Sequence, residues 1–242
     1  MNKCIIGMLV VSSALTMNAT PVLEVSRGAA NNTKFVTTSP RAKVTSVATT
    51  IECWINQPSF DGENQIVNQD GSGAPGRFFF QTQNGKVAWN IGGNLKTSVK
   101  TLTPNTWHHI AGVRDASGNT SFYIDGELDS KVAHTATALS NTANDGLTLC
   151  ALPRACNAGG FRGKMAELRI WTAERTAAEI KANMKKRLAG TETGLAAYWP
   201  MNEGEGRVLH DKMRNRHMLA PGASWYYADD NYAVRIPQGA TA

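Results

Sequence analysis

The chain has 242 residues, 42% of them hydrophobic, and a formal net charge of +6. That is enough apolar material for one large all-β domain or two small ones. Its Lys and Arg are scattered rather than gathered into a basic stripe with interleaved aromatics, which excludes nucleic acid as the partner. The positive excess then serves solubility and a mild attraction to anionic surfaces.

In chain order, residues 1–19 read as a secretory signal. Lys3 carries the charge, Cys4 to Val11 with Ala14 and Leu15 form the apolar run, and Ala19 is the small residue at the cleavage site. The run is too short to span a membrane. The other reading of the same residues is a retained apolar N-terminal arm. Short strands follow at Val22 to Val25 and Lys34 to Thr38, then a strongly alternating one at Thr50 to Asn56. In the latter, Ile51, Cys53 and Ile55 share one face, and Cys53 is a small buried hydrophobe.

Gln65 to Gln69 leads to the glycine-rich loop Asp70 to Gly76, which lacks the spacing and the following Lys-Ser or Lys-Thr of a phosphate cradle. Arg77 to Thr82 and Lys86 to Ile91 flank Gln83-Asn84-Gly85, a hairpin signal. Leu95 to Leu102 continues the meander. Thr106 to Asp115 and Thr120 to Asp125 make a second hairpin, and Asp125-Gly126 turns into Glu127 to Ala133. Leu147 to Leu152 precedes a loop in which Cys150 and Cys156 bracket Ala-Leu-Pro-Arg-Ala. They either close a small disulfide, worth ~2 kcal/mol for so short a ring, or remain free thiols.

The stretch Gly160 to Trp171 reads as a strand with Met165, Glu167, Arg169 and Trp171 on one side and Lys164, Ala166, Leu168 and Ile170 on the other. Glu167 and Arg169 on one buried face must answer each other or a neighbouring strand, and their register reads as a structural pair. Thr176-Ala-Ala-Glu179 is a capping box. The helix it opens is expected to run to about Leu188, with Ile180, Met184 and Leu188 as its apolar stripe. Strands at Ala196 to Pro200, Val208 to Asp211 and Ser224 to Tyr227 complete the series, and residues 237–242 form a frayed tail. Many short strands with one lone helix predict an all-β, two-sheet antiparallel sandwich occupying residues 20–236 as one domain.

An ordered set of motifs resembles the laminin-G-like, concanavalin-A-like jelly-roll family over most of the chain. These are Thr50 to Ile55, Trp107 to Ala111, Phe122 to Gly126, Phe161 to Trp171, Arg175 to Ile180, Gly194 to Pro200 and Glu203 to Gly206. The usual Phe-Asp-Gly opening is replaced by Val25-Ser-Arg-Gly28, which puts the first strand pairing in question. The resemblance implies two packed antiparallel sheets, a concave face, and glycan or protein binding more often than catalysis.

The residues agree on catalysis. Glycosidases of this architecture need two carboxylates about 5 Å apart, and no strand carries alternate carboxylates. Glu52 stands alone on its face, between Thr50 and Trp54. No Gly-x-Ser-x-Gly elbow exists, and His108 and His109 point to opposite faces of one strand.

Sugar binding needs an aromatic platform with amides beside it. Trp89, Asn90, Asn94 and Gln81, with Gln83, are the best cluster, and the alternative reading makes Trp89 core. Calcium is a possible ligand of Asp61, Asp70 and Asp145, with Asn144, although no EF-hand spacing ties them together. The expected function is a non-catalytic, secreted or surface-displayed carbohydrate-recognition domain. Its partners would be a glycan or a cell-surface or virion protein, with homo-oligomer formation open. The rival is a structural subunit of a virion or extracellular assembly, and the third reading is an atypical glycoside hydrolase.

Overall fold

The computed structural model describes residues 20–25, 35–37, 44–69, 76–139, 147–150, 160–213, 216–220 and 224–228. The first strands are β1 (Thr20–Val25), β2 (Phe35–Thr37), β3 (Thr49–Asn56), β4 (Glu63–Gln69), β5 (Phe78–Gln83), β6 (Lys86–Ile91) and β7 (Asn94–Thr97). They continue with β8 (His108–Arg114), β9 (Thr120–Ile124), β10 (Glu127–Val132), β11 (Thr148–Leu149) and β12 (Gly163–Trp171). After the helix α1 (Ala177–Asn183) come β13 (Leu195–Trp199), β14 (Val208–Leu209), β15 (Met218–Leu219) and β16 (Ser224–Ala228).

Two sheets result. One runs β10-β9-β8-β3-β12-β1-β16, with β13 also paired to β12, and the other runs β14-β15-β2-β11-β4-β5-β6-β7. The named pairs are antiparallel throughout, as a two-sheet sandwich requires. The first-strand pairing is resolved: β1 lies between β12 and β16. No described helix is long and apolar enough to cross a membrane.

Period-two side chains from both sheets meet between them. Ile51, Cys53 and Ile55 of β3 join Phe78, Phe80, Val87, Trp89 and Ile91 of the other sheet in one cluster. At Gly112 the rings of the opposite sheet pack directly against the backbone. A Cβ there would lie 2.8 Å from ring atoms of both Phe80 and Trp89.

The helix covers the outer face of the first sheet. Thr176 and Glu179 form the expected capping box. The helix stops at Asn183, short of the expected Leu188, because the sheet takes its last carbonyls. Arg169 donates to the carbonyl of Asn183 at 3.0 Å, and the Trp54 indole N–H to that of Met184 at 2.7 Å. The apolar stripe is nevertheless as read. Ile180 packs on Ala111, Val113 and Tyr123, Met184 on Trp54 and Ala166, and Leu188 on Trp171 and Tyr198.

The alternation expected along β12 is broken. Its pairing with β3 shifts between Ala166 and Arg169, and Glu167 sits at φ 55°. This bulge reverses the facing of the side chains before it. Met165 therefore joins Leu168 and Ile170 in the inter-sheet core, and Ala166 turns outward toward the helix.

The predicted disulfide is not formed. Cys150 is a free thiol buried in the inter-sheet cluster, and Cys156 lies outside the described residues. Burial pushes the Cys150 thiol up, away from the reactive thiolate. Residues 1–19 and 237–242 also lie outside the described set.

Candidate functional site

Three parts of the molecule carry chemistry-bearing side chains, and their accessibility separates them. The first lies beneath the helix. Glu167 and Arg169 meet at 2.9 Å, the structural partnership their spacing implied. Tyr198 donates its hydroxyl to Glu167 at 2.5 Å, and Arg187 approaches the same carboxylate at 3.3 Å. Glu52 is not alone, as its strand neighbours had suggested. Its carboxylate accepts the Trp171 indole N–H at 2.9 Å and lies 3.3 Å from His109 and 3.6 Å from Arg169. These partners come from β8 and β12, so the grouping exists only once the sheet has formed. Glu52, Glu167, Arg169 and His109 are each 1% exposed, which closes them to a polysaccharide.

Trp171 also stacks beneath Arg175, whose guanidinium carbon is 4.1 Å from the ring centroid. Its place beside Leu188 and Tyr198 seats the segment that follows the helix. Of the two histidines, His109 is packed against Trp54 with ring centroids 5.4 Å apart. His108 lies on the opposite face, 2.9 Å from Asp125.

The second part is the outer face of the β4–β7 sheet. Register fixes its membership. Gln65 pairs with Gln81, which pairs with Ala88. Asn68 pairs with Phe79, which pairs with Asn90, which pairs with Leu95. Paired residues share a face, so this is a row of amides with one aromatic ring. Gln65 donates to Glu63 at 2.7 Å, Asn68 to Gln65 at 3.0 Å and Gln81 to Gln83 at 3.0 Å. The floor formed by Gln65, Asn68, Phe79 and Gln81 is buried, and the rim of Glu63, Gln83, Lys86, Asn90 and Leu95 is at least partly open. The carbonyl oxygen of Gln81 is buried without a hydrogen-bond partner.

Trp89 does not belong to this face. It is fully buried, edge to face with Phe78 at 6.3 Å and with Phe80 at 5.6 Å. Val87, Trp89 and Ile91 are the alternate apolar residues of β6, and burying them turns Ala88 and Asn90 outward. Asn94 pairs with Ile91 and so falls on the opposite parity from Asn90, exposed at the sheet corner. Gln81 and Asn90 are thus brought together, while Trp89 and Asn94 are not.

The aromatic residue that sequence reasoning missed is Phe79, with the Arg77 guanidinium carbon 5.8 Å from its centroid. The signal was present in Phe78-Phe79-Phe80. In a strand, the middle residue must face away from its two neighbours.

Of the calcium candidates, Asp61 is exposed at the turn before β4, and Asp70, Asn144 and Asp145 lie outside the described residues. The described residues contain no group of His, Cys, Asp and Glu arranged to hold a metal. The third part is a cleft beyond β13, lined by Glu203, His210, Asp211 and His217 among others.

Comparison with known proteins agrees with this architecture. Residues 30–181 match the family model for the concanavalin A-like lectin/glucanases superfamily, of laminin-G type. No curated protein sequence matches the chain. Among solved structures, a candidate carbohydrate-binding protein of Bacteroides ovatus superposes with a TM-score of 0.72 at 21% identity. That match covers 90% of this chain, which spans only 62% of the Bacteroides protein. The heptameric SAP-like pentraxin of Limulus polyphemus superposes with a TM-score of 0.60 at 8% identity, over 87% of this chain and 96% of its own. At such identities the likeness is one of fold.

Proposed function

The chain belongs to the concanavalin A-like lectin/glucanases superfamily, and from that premise we propose that it is a non-catalytic domain that binds carbohydrate on the outer face of β4–β7. The observation that carries the reading is the partly open rim of Glu63, Gln83, Asn90 and Leu95, held in register over the buried row of Asn68, Phe79 and Gln81. The rim amides of Gln83 and Asn90 offer donors and acceptors together, which suits the paired hydroxyls of a sugar. The description of the Bacteroides protein as a candidate carbohydrate binder supports the same reading.

Absence of catalysis is supported by the sealing of Glu52 and Glu167 beneath the helix. Secretion is part of the proposal, and N-terminal sequencing of the protein purified from its producing cell tests it, with Thr20 the expected first residue. The central test is a glycan array probed with and without calcium. Binding to a defined sugar set, lost in Asn90→Ala together with Gln83→Ala at unchanged stability, is the expected result. An array silent in both conditions sinks the reading. Release of reducing sugar from a polysaccharide panel, lost in Glu52→Gln, would replace it with the hydrolase.

A further inference from the structure

The cleft beyond β13 encloses about 530 Å³ and is lined by Pro200, Asn202, Glu203, His210, Asp211 and His217, with Lys212 at its wall. That volume falls within the ~300–1,000 Å³ usual for small-molecule sites. Its residues follow the segment matched by the family model, which ends at residue 181.

Two carboxylates line the cleft, and each has one oxygen committed to the fold. Asp211 is 1% exposed, and its Oδ1 accepts the backbone N–H of Tyr198 at 3.0 Å and of Met213 at 3.1 Å. Its Oδ2 has no hydrogen-bond partner. Oε1 of Glu203 accepts the backbone N–H of His210 at 2.8 Å, and its Oε2 is likewise buried without a partner. Among the described residues, neither forms an ion pair with Lys or Arg. Their ionisable neighbours in the cleft are Lys212 at the wall, the His210 ring 3.6 Å from Glu203, and His217, whose Nδ1 accepts the Asp211 backbone N–H at 3.1 Å. Buried carboxylate oxygens lacking donors are costly, so a ligand that donates to both recovers a penalty the fold already carries.

A metal ion would need a third ligating side chain in register, and the described residues offer no such group. A positively charged N–H donor suits two unpartnered carboxylate oxygens better. The imidazoles of His210 and His217 stand edge to face at 5.3 Å in the same cleft. With the Asn202 amide they supply further hydrogen-bonding groups for hydroxyls.

We propose that this cleft is a second binding site, for a primary ammonium group flanked by hydroxyls as on an amino sugar, with Asp211 Oδ2 and Glu203 Oε2 accepting its N–H donors. It is separate from the β4–β7 face and stands or falls independently of it.

Titration calorimetry of the full chain with glucosamine tests the proposal, with glucose and N-acetylglucosamine as uncharged controls. Saturable binding of glucosamine is expected, about tenfold or more tighter than either control, the scale of a charge-assisted hydrogen bond. Glu203→Gln should weaken it by a similar factor, and Asn90→Ala on the other face should leave it unchanged. Because Asp211 also anchors backbone, a backbone amide NMR titration of the wild-type chain supplies the second readout. Shifts should concentrate at Asn202, Glu203, Asp211 and His217. The proposal is overturned if glucosamine fails to saturate, if the three sugars bind alike, or if shifts concentrate elsewhere. Displacement of glucosamine by low calcium chloride would assign the carboxylates to a cation and also overturn it.

Discussion

The Trp171 indole N–H donates to Oε1 of Glu52 at 2.9 Å across 119 residues of sequence. That bond ties β12 to β3 on the face the helix covers, where Arg169 links Glu52, Glu167 and the last carbonyl of α1. Arg169 therefore serves as counter-ion to the sheet and cap to the helix together.

Removing that one side chain should cost more than any surface change. Arg169→Ala strips two buried carboxylates of their shared counter-ion and the helix end of a donor. Breaking a buried pair from one side costs roughly 3–5 kcal/mol. Urea denaturation should show a loss of that order. Arg169→Lys should recover only part of it, since an ammonium cannot reach both partners as a planar fork does. A loss below about 1 kcal/mol would mean the network contributes little.

Stability should depend on acid through Glu52. Burial by itself would raise its carboxyl, but the hydrogen bond and charge of His109, with Arg169 and Trp171, outweigh burial and hold it at about 2 rather than 4.5. A folded-state value below the unfolded one means the stabilisation is fully present above about 4.5 and is lost as pH falls from there through about 2. Urea midpoints measured across that window should fall steeply for the wild-type chain. Glu52→Gln should be less stable at neutral pH but should show a shallower decline, and a flat wild-type profile would contradict the assignment.

The contact between the sheets should tolerate no added atom at Gly112. Ala there places a Cβ 2.8 Å from ring atoms of Phe80 and Trp89, both fixed in the core. Overpacking of this kind costs roughly 1–3 kcal/mol. A thermal melt unchanged by Gly112→Ala would show that the rings can shift.

Trp89→Ala and Asn90→Ala, adjacent in sequence, should behave in opposite ways. The first empties a core site and should cost roughly 3–5 kcal/mol of stability. The second should leave the melt in place and weaken glycan binding. If Trp89→Ala instead remained fully stable and lost only binding, the core assignment of that ring would be wrong.

The helix start is a smaller and more local matter. Thr176 Oγ1 accepts the Glu179 N–H at 3.2 Å, and the Glu179 carboxylate accepts the Thr176 N–H at 2.8 Å. Thr176→Ala should cost ~1 kcal/mol, seen in the urea midpoint with glycan binding retained.

The division between sequence and tertiary structure runs through these same residues. Alternation alone determined the strands and the inward face of Ile51, Cys53 and Ile55, because a buried strand face leaves only one parity open. The capping box likewise announced the helix start, since its hydrogen bonds close within a single turn. Three matters were decided only by the assembled fold. The bulge at Glu167 moved Met165 to the core, because a left-handed residue resets the parity of everything before it. The helix ended at Asn183, because side chains from β3 and β12 reached its carbonyls. Glu52 gained its partners because β8 and β12 lie on either side of β3, a neighbourhood created by strand order and not by proximity along the chain.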